Sequence, residues 1–79
     1  MADPVEEAKS EIERLLTSAP DNFLEFEPLQ KAYDEWAKAN NCEVKLTMVL
    51  GALSRAKKVR FSIRGQATDL RHSDQVFWN

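Results

Sequence analysis

The chain has 79 residues, of which 43% are hydrophobic and 30% are charged, with a single cysteine and a single histidine. This length and composition fit one folded domain with one core, so we expect a single domain over residues 1–79. One cysteine excludes both an intramolecular disulfide and a metal site built from several cysteines of this chain.

The charge is divided between the two halves of the chain. Residues 1–43 carry four Lys/Arg against eleven Asp/Glu, and residues 44–79 carry seven against two, so net charges of −7 and +5 add to −2. The cations are densest between residues 55 and 64. A basic face on a small, nearly neutral protein favours an acidic partner, which is either nucleic acid or an acidic protein surface. The same cations could instead form a solubilising face that discourages edge-to-edge aggregation.

The first predicted helix begins at Asp3 and Pro4. Asp3 is suited to cap the free N–H groups, and Pro4 fits the first helical position. Apolar residues then recur at helical spacing as far as Thr17 or Ser18, and Pro20 prevents the helix from continuing. The segment 23–26 is ambiguous: Leu24 and Phe26 alternate with the acidic Glu25, which suits a very short strand, but four residues decide little.

The second and third predicted helices follow. Pro28 can open the second, which carries Tyr33 and Trp36 on its apolar stripe as core residues, and the pair at 40–41 is a plausible stop. Thr47 is a candidate cap for the third, with a first turn that already includes Lys45 and Leu46 as the alternative, and apolar residues keep helical spacing from residue 46 to residue 56. We expect Gly51 to mark a close helix–helix approach. Arg55, Lys57 and Lys58 are expected in its last turn, where cations suit the helix dipole.

From Val59 the period changes to two, which predicts a strand with one apolar and one basic face. A turn at Gly65–Gln66 and a polar segment through Asp74 lead to a returning strand at residues 76–78. Trp78 either closes the hydrophobic face of this hairpin or protrudes as a contact residue. The fold class is therefore α+β and winged-helix-like: three helices with a C-terminal β-hairpin, to which the strand at 23–26 could add a third short strand.

The sequence favours no catalytic or metal chemistry. His72 is the only histidine, and its neighbours Ser73 and Asp74 point to alternate sides of an extended segment, so they cannot form a relay with it. The chain has no glycine-rich phosphate-binding motif. It also has no apolar run long enough to span a membrane, and its acidic start is unlike a signal peptide. We expect a non-enzymatic cytoplasmic monomer without cofactor or metal, with a nuclear location as the alternative.

Several segments of the sequence are similar to those of a known family. Residues 49–58 (VLGALSRAKK), followed by Val59 and Phe61, resemble the third helix of the Costars-domain family and the strand after it. Glu11, Ile12 and Leu15 resemble its first helix, Phe26, Leu29 and Tyr33 are similar to its second segment, and residues 72–76 (HSDQV) resemble the polar step before its final strand. The chain departs from the pattern at Glu27, which replaces a glycine, and in the wing, where residues 63–67 replace the family signature.

The resemblance implies a winged-helix-like fold and a role in regulating the actin cytoskeleton. The predicted partner-binding residues lie on the third helix and the wing: Arg55, Lys57, Lys58, Arg60, Arg64, Arg71 and Trp78. The alternative is a winged-helix nucleic-acid-binding protein that uses the same basic face, with the third helix near a groove and the wing on phosphates. The acidic half and a pI of about 5.3 argue against the alternative.

Overall fold

A computed structural model describes residues 3–79, so residues 1 and 2 of the predicted domain lie outside the described part. It contains helices α1 (Pro4–Thr17), α2 (Phe26–Ala39) and α3 (Leu46–Arg55), a 3-10 turn at Pro20–Asn22, and strands β1 (Phe23–Glu25), β2 (Val59–Ile63), β3 (Gln66–Thr68) and β4 (Gln75–Trp78). The predicted α+β class and the order of its helices are confirmed.

The four strands form one antiparallel sheet in the order β1-β4-β2-β3. The predicted pairing of the basic strand with the returning strand is confirmed, with Val59 opposite Trp78 and Phe61 opposite Val76. The short strand after the first helix is also confirmed, and it pairs with β4. The sequence did not predict β3, which begins at Gln66 directly after the turn and pairs with β2.

The ends of α1 and α2 follow from local chemistry. The Asp3 carboxylate accepts a hydrogen bond from the Val5 N–H at 2.9 Å, which confirms the predicted cap. The prediction for the start of α2 is wrong by two residues, because the helix begins at Phe26, whose N–H donates to the Asp74 carbonyl at 2.8 Å. Asn41 has φ 52°, so the predicted stop uses the left-handed conformation that Asn tolerates.

The helix α3 begins at Leu46, so the alternative in which its first turn already includes this residue is confirmed, and Thr47 does not cap it. Arg55 lies in the last turn as predicted. The expectation that Lys57 and Lys58 also lie there is wrong, because the helix ends at Arg55 and Lys57, with φ 60°, turns the chain out of it. Gly51 marks no close helix approach, since a Cβ placed there would meet only the Arg55 guanidinium at 4.0 Å.

One hydrophobic core lies between the helices and the inward face of the sheet. It is formed by the buried side chains of Ala8, Ile12, Leu16, Leu29, Tyr33, Leu46, Val49, Leu50, Leu53, Val59, Phe61 and Val76. The prediction that Tyr33 is a core residue is confirmed, and Trp36 packs against the core while half-buried. Because the helices cover the inward face, the outward face of the sheet remains open to solvent.

The turn between β2 and β3 gives a first testable prediction. Arg64 and Gly65 have φ values of 53° and 82°, as a two-residue hairpin turn requires, and Asn is the residue that best accepts this conformation before Gly. Arg64→Asn should therefore raise the free energy of unfolding by about 0.5–1 kcal/mol, measured by urea denaturation. Arg71→Asn is the control, because it removes the same charge at a site without positive φ. Equal changes in both variants would contradict the turn assignment.

Candidate partner-binding surface

The predicted cations on β2 lie on the outward side of the sheet. Val59 and Phe61 face the core, so alternation along the strand places Lys58 and Arg60 on the opposite side, and both are exposed. Arg64 follows in the hairpin turn and is also exposed. The basic strand face predicted from the sequence is therefore present, and we call Lys58, Arg60 and Arg64 the β2 cations.

Two further predicted cations lie where α3 meets β2. Arg55 is the last residue of α3, and Lys57 follows in the connecting corner; both are exposed. Asn79 holds this corner, because its side-chain amide donates to the Lys57 carbonyl and its backbone N–H donates to the Lys58 carbonyl, each at 2.9 Å. The sequence did not single out Asn79, since no local pattern joins it to a segment twenty residues earlier.

None of the predicted cations is neutralised by an acidic side chain of the described residues. The ion pairs found within residues 3–79 are Lys9–Glu6 at 3.2 Å and Arg14–Glu11, and in addition the Nδ1 atom of His72 lies 2.7 Å from the Asp69 carboxylate. The hydrogen bond and charge of Glu11 raise the pKa of Arg14, which keeps this cation paired within α1. The cations of the basic half thus keep their charge free for a partner.

Arg71 lies in the loop that joins β3 to β4, away from the β2 cations in sequence and exposed. In the same loop, His72 contacts the Asp69 carboxylate through Nδ1 and its backbone N–H. The hydrogen bond between the two side chains lowers the pKa of the Asp69 carboxyl. His72 is exposed, as expected for a histidine in a polar turn. Leu70 packs against the core and fixes the loop to the body of the domain.

Trp78 lies opposite Val59 on the inward side of the sheet and packs against the core while half-buried. This arrangement corresponds to the first of its two sequence alternatives, closure of the hydrophobic face of the hairpin. Its neighbour Phe77 points outward.

The outward face also carries an aromatic pair that sequence reasoning missed. Phe23 of β1 and Phe77 of β4 are direct cross-strand partners, with ring centroids 4.9 Å apart and planes inclined by 21°. Arg60 pairs with Phe77 from the other side, and its Cζ lies 5.7 Å from the ring centroid. Alternation in residues 76–78 could have indicated that Phe77 points outward, but nothing local predicts its pairing with Phe23.

A depression lies between α2 and the segment before α3, lined by Tyr33, Cys42, Val44 and neighbouring polar residues. The Tyr33 hydroxyl donates to the Val44 carbonyl, so this tyrosine pins the connecting segment to the core. Burial, with a smaller contribution from Cys42, raises the pKa of Tyr33 to about 12. A neutral phenol in a structural hydrogen bond supplies no nucleophile or base here.

Two kinds of feature are absent from the described part of the chain, a metal-binding cluster and a membrane-spanning helix. Residues 3–79 contain no group of three or more His, Cys, Asp or Glu side chains placed to hold a metal ion. No helix in the same range is long and apolar enough to cross a membrane. The surface around β2 carries charge, an aromatic pair and a shallow depression.

Comparison with known proteins adds no assignment, since no family model, curated protein or solved structure matches this chain.

Proposed function

We propose that the chain is a small non-catalytic interaction domain that binds an acidic protein surface, with the actin cytoskeleton as its place of action. The observation that carries this proposal is the group of exposed, unpaired cations around β2 and the corner before it. Actin is the partner implied by the Costars-like segments of the sequence. The domain would act as a monomer in the cytoplasm, associated with actin filaments.

Electrostatics would mainly set the encounter rate and the choice of partner. Positive surface charges attract an acidic partner over about 8 Å at physiological salt, and they repel basic ones. Affinity requires a few well-packed anchors in addition, because exposed ion pairs each contribute little. The surface must therefore combine the cations with an apolar contact.

The competing function, recognition of duplex DNA by α3, receives less support from the arrangement of charge. A recognition helix contacts bases mainly through its N-terminal residues. In this chain the N-terminal turn of α3 exposes Thr47 and Met48, and the N-cap Lys45 is the one cation there, with Glu43 two residues before it. The cations are instead concentrated at the opposite end of the helix and along β2.

Sedimentation with actin filaments tests the proposal. We expect the full chain to pellet with filamentous actin and to leave the mobility of duplex DNA unchanged in a gel run beside it. Moderate salt should weaken actin binding only partly, whereas a phosphate-dominated complex would lose about three orders of magnitude in affinity. A DNA shift with that steep salt dependence, and no pelleting with actin, would contradict the proposal in favour of nucleic acid.

A further inference from the structure

The outward face of the sheet carries a row of three side chains across three adjacent strands. The register places Phe23 opposite Phe77, and Phe77 opposite Arg60. Because β1 and β2 flank β4 on opposite sides, Phe23 stacks on one face of the Phe77 ring while the Arg60 guanidinium covers the other. Phe77 therefore presents its ring edge to solvent.

A shallow depression lies beside this row, between β4, β2 and β3. Its lining includes Arg60, Ser62, Gly65, Ala67 and Phe77. The small side chain of Ala67 keeps it open on the β3 side, and at Gly65 no atom lies within 4 Å of where a Cβ would be. Ser62 donates to the Gln75 side chain at 2.8 Å, so the polar group in its floor is already satisfied. The depression can accept an apolar side chain without leaving a buried polar group unpaired.

The charge around the depression is mainly positive. Lys58 and Arg60 share its face and Arg64 lies in the adjacent turn, whereas Glu25 is an acidic residue of the outward face on the far edge strand β1, and Asp69 and Asp74 lie at the two ends of the loop between β3 and β4. The exposed acids of α1 and α2 belong to the helical layer on the other side of the sheet. A ligand seated on the sheet would therefore meet cations first, and the acidic half of the chain would be screened from it.

We propose that this outward sheet face is the docking site, and that its occupant is an acidic protein segment carrying one aromatic or aliphatic side chain. The apolar side chain would enter the depression against Phe77 and Ala67, and flanking carboxylates would contact Arg60 and Lys58. The inference rests on the proposed function and adds the anchor that it requires. Phe77 takes the anchoring role expected of Trp78, whose side chain packs inward.

The geometry favours a protein segment over single-stranded nucleic acid. Bases bind to sheet surfaces by stacking on open aromatic faces. Both faces of Phe77 are occupied by its neighbours, so little stacking area remains there. The ring edge carries partial positive charge, which suits a carboxylate or carbonyl oxygen of a peptide.

One pair of variants isolates this face. Ala67 lies outward opposite Ser62, and Gln66 lies opposite Ile63 with its side chain on the other side of the strand; both are exposed. Ala67→Glu and Gln66→Glu therefore add the same negative charge at neighbouring positions on opposite faces. The full-length 15N-labelled chain would be titrated by NMR with a Glu-rich peptide carrying one central Trp, with the same peptide carrying Ala, and with oligouridylate.

The Trp peptide should shift the backbone amides of Arg60, Ala67 and Phe77. We expect Ala67→Glu to weaken its binding at least about tenfold, while Gln66→Glu changes it by less than about twofold. Replacing the central Trp by Ala should weaken binding similarly. The inference is overturned by absence of peptide binding, by shifts confined to α3, by equal effects of the two variants, or by tighter binding of oligouridylate on this face.

Actin sedimentation of the same variants separates this inference from the proposed function. If the wild-type chain binds the Trp peptide on the sheet but does not pellet with filaments, the docking site stands and actin is the wrong partner. If Ala67→Glu pellets as well as the wild-type chain does, actin binding stands and the sheet face is not its site.

Discussion

Reversing three charges at once, by Lys57→Glu, Lys58→Glu and Arg60→Glu, should abolish binding of the acidic partner. The three side chains are exposed and none is paired with an acid among the described residues, so each is free to contact a partner. The substitutions replace attraction by repulsion on the corner and on the outward sheet face. Like charges brought together at an interface cost several kcal/mol, so we expect affinity to fall at least about a hundredfold.

The domain should remain folded in this variant. Arg60 would lose its contact with Phe77, which contributes about 0.5–1 kcal/mol at an exposed site. The carbonyl groups of Lys57 and Lys58 keep the two hydrogen bonds that they accept from Asn79, because these bonds involve the backbone of the corner and not its side chains. Thermal unfolding by circular dichroism would check the fold, and actin sedimentation with the Glu-rich Trp peptide titration would measure binding.

A matched variant with the same change of charge elsewhere is the control. Lys31→Glu, Lys38→Glu and Lys45→Glu alters three exposed lysines of α2 and the segment before α3. Binding should be reduced only by the general change in net charge, which salt screens. Equal losses in both triple variants would mean that net charge, rather than the surface around β2, determines binding. Undiminished binding in the first variant would exclude the surface altogether.

Local periodicity predicted most of the fold because the buried residues follow it. Apolar residues at helical spacing mark the faces by which α1 and α3 enter the core, including Ile12 and Leu50. Alternation in residues 59–64 predicted both the strand and its basic face, and the same alternation assigned Arg60 to the outward side. These parts of the candidate surface were predictable because a single strand defines them.

The elements that sequence patterns did not predict depend on contacts between residues distant in sequence, or on backbone conformations that the residue types do not indicate. β3 has the sequence Gln66-Ala67-Thr68, which has no apolar alternation, and it forms because the tight turn at Arg64–Gly65 brings it beside β2. Lys57 leaves the helix through a positive φ that lysine rarely adopts. The pairing of Phe23 with Phe77 joins strands from opposite ends of the chain.

Leu53→Ala should be the most destabilising of the single substitutions considered, with a loss of about 2–5 kcal/mol in the free energy of unfolding. Leu53 is 4% exposed and lies in the core beneath α3, so truncation removes buried methyl groups and leaves a cavity. Small domains have a total stability of about 5–15 kcal/mol, so this loss takes a large share of it. Urea denaturation followed by tryptophan fluorescence would measure the change.

Arg64→Ala is the comparison that tests the assignment of faces. Arg64 is exposed and unpaired among the described residues. At φ 53° the backbone strain is the same for alanine as for arginine. The free energy of unfolding should therefore change by less than about 0.5 kcal/mol. The effects on binding should follow the opposite order, with Arg64→Ala weakening binding of the acidic partner more than Leu53→Ala does. Where Leu53→Ala is still folded it should bind the acidic partner as the wild-type chain does, because Leu53 lies beneath α3 and away from the cations. Equal losses of stability in the two variants would mean that the buried and exposed faces are wrongly assigned, and the proposed surface would then have no basis.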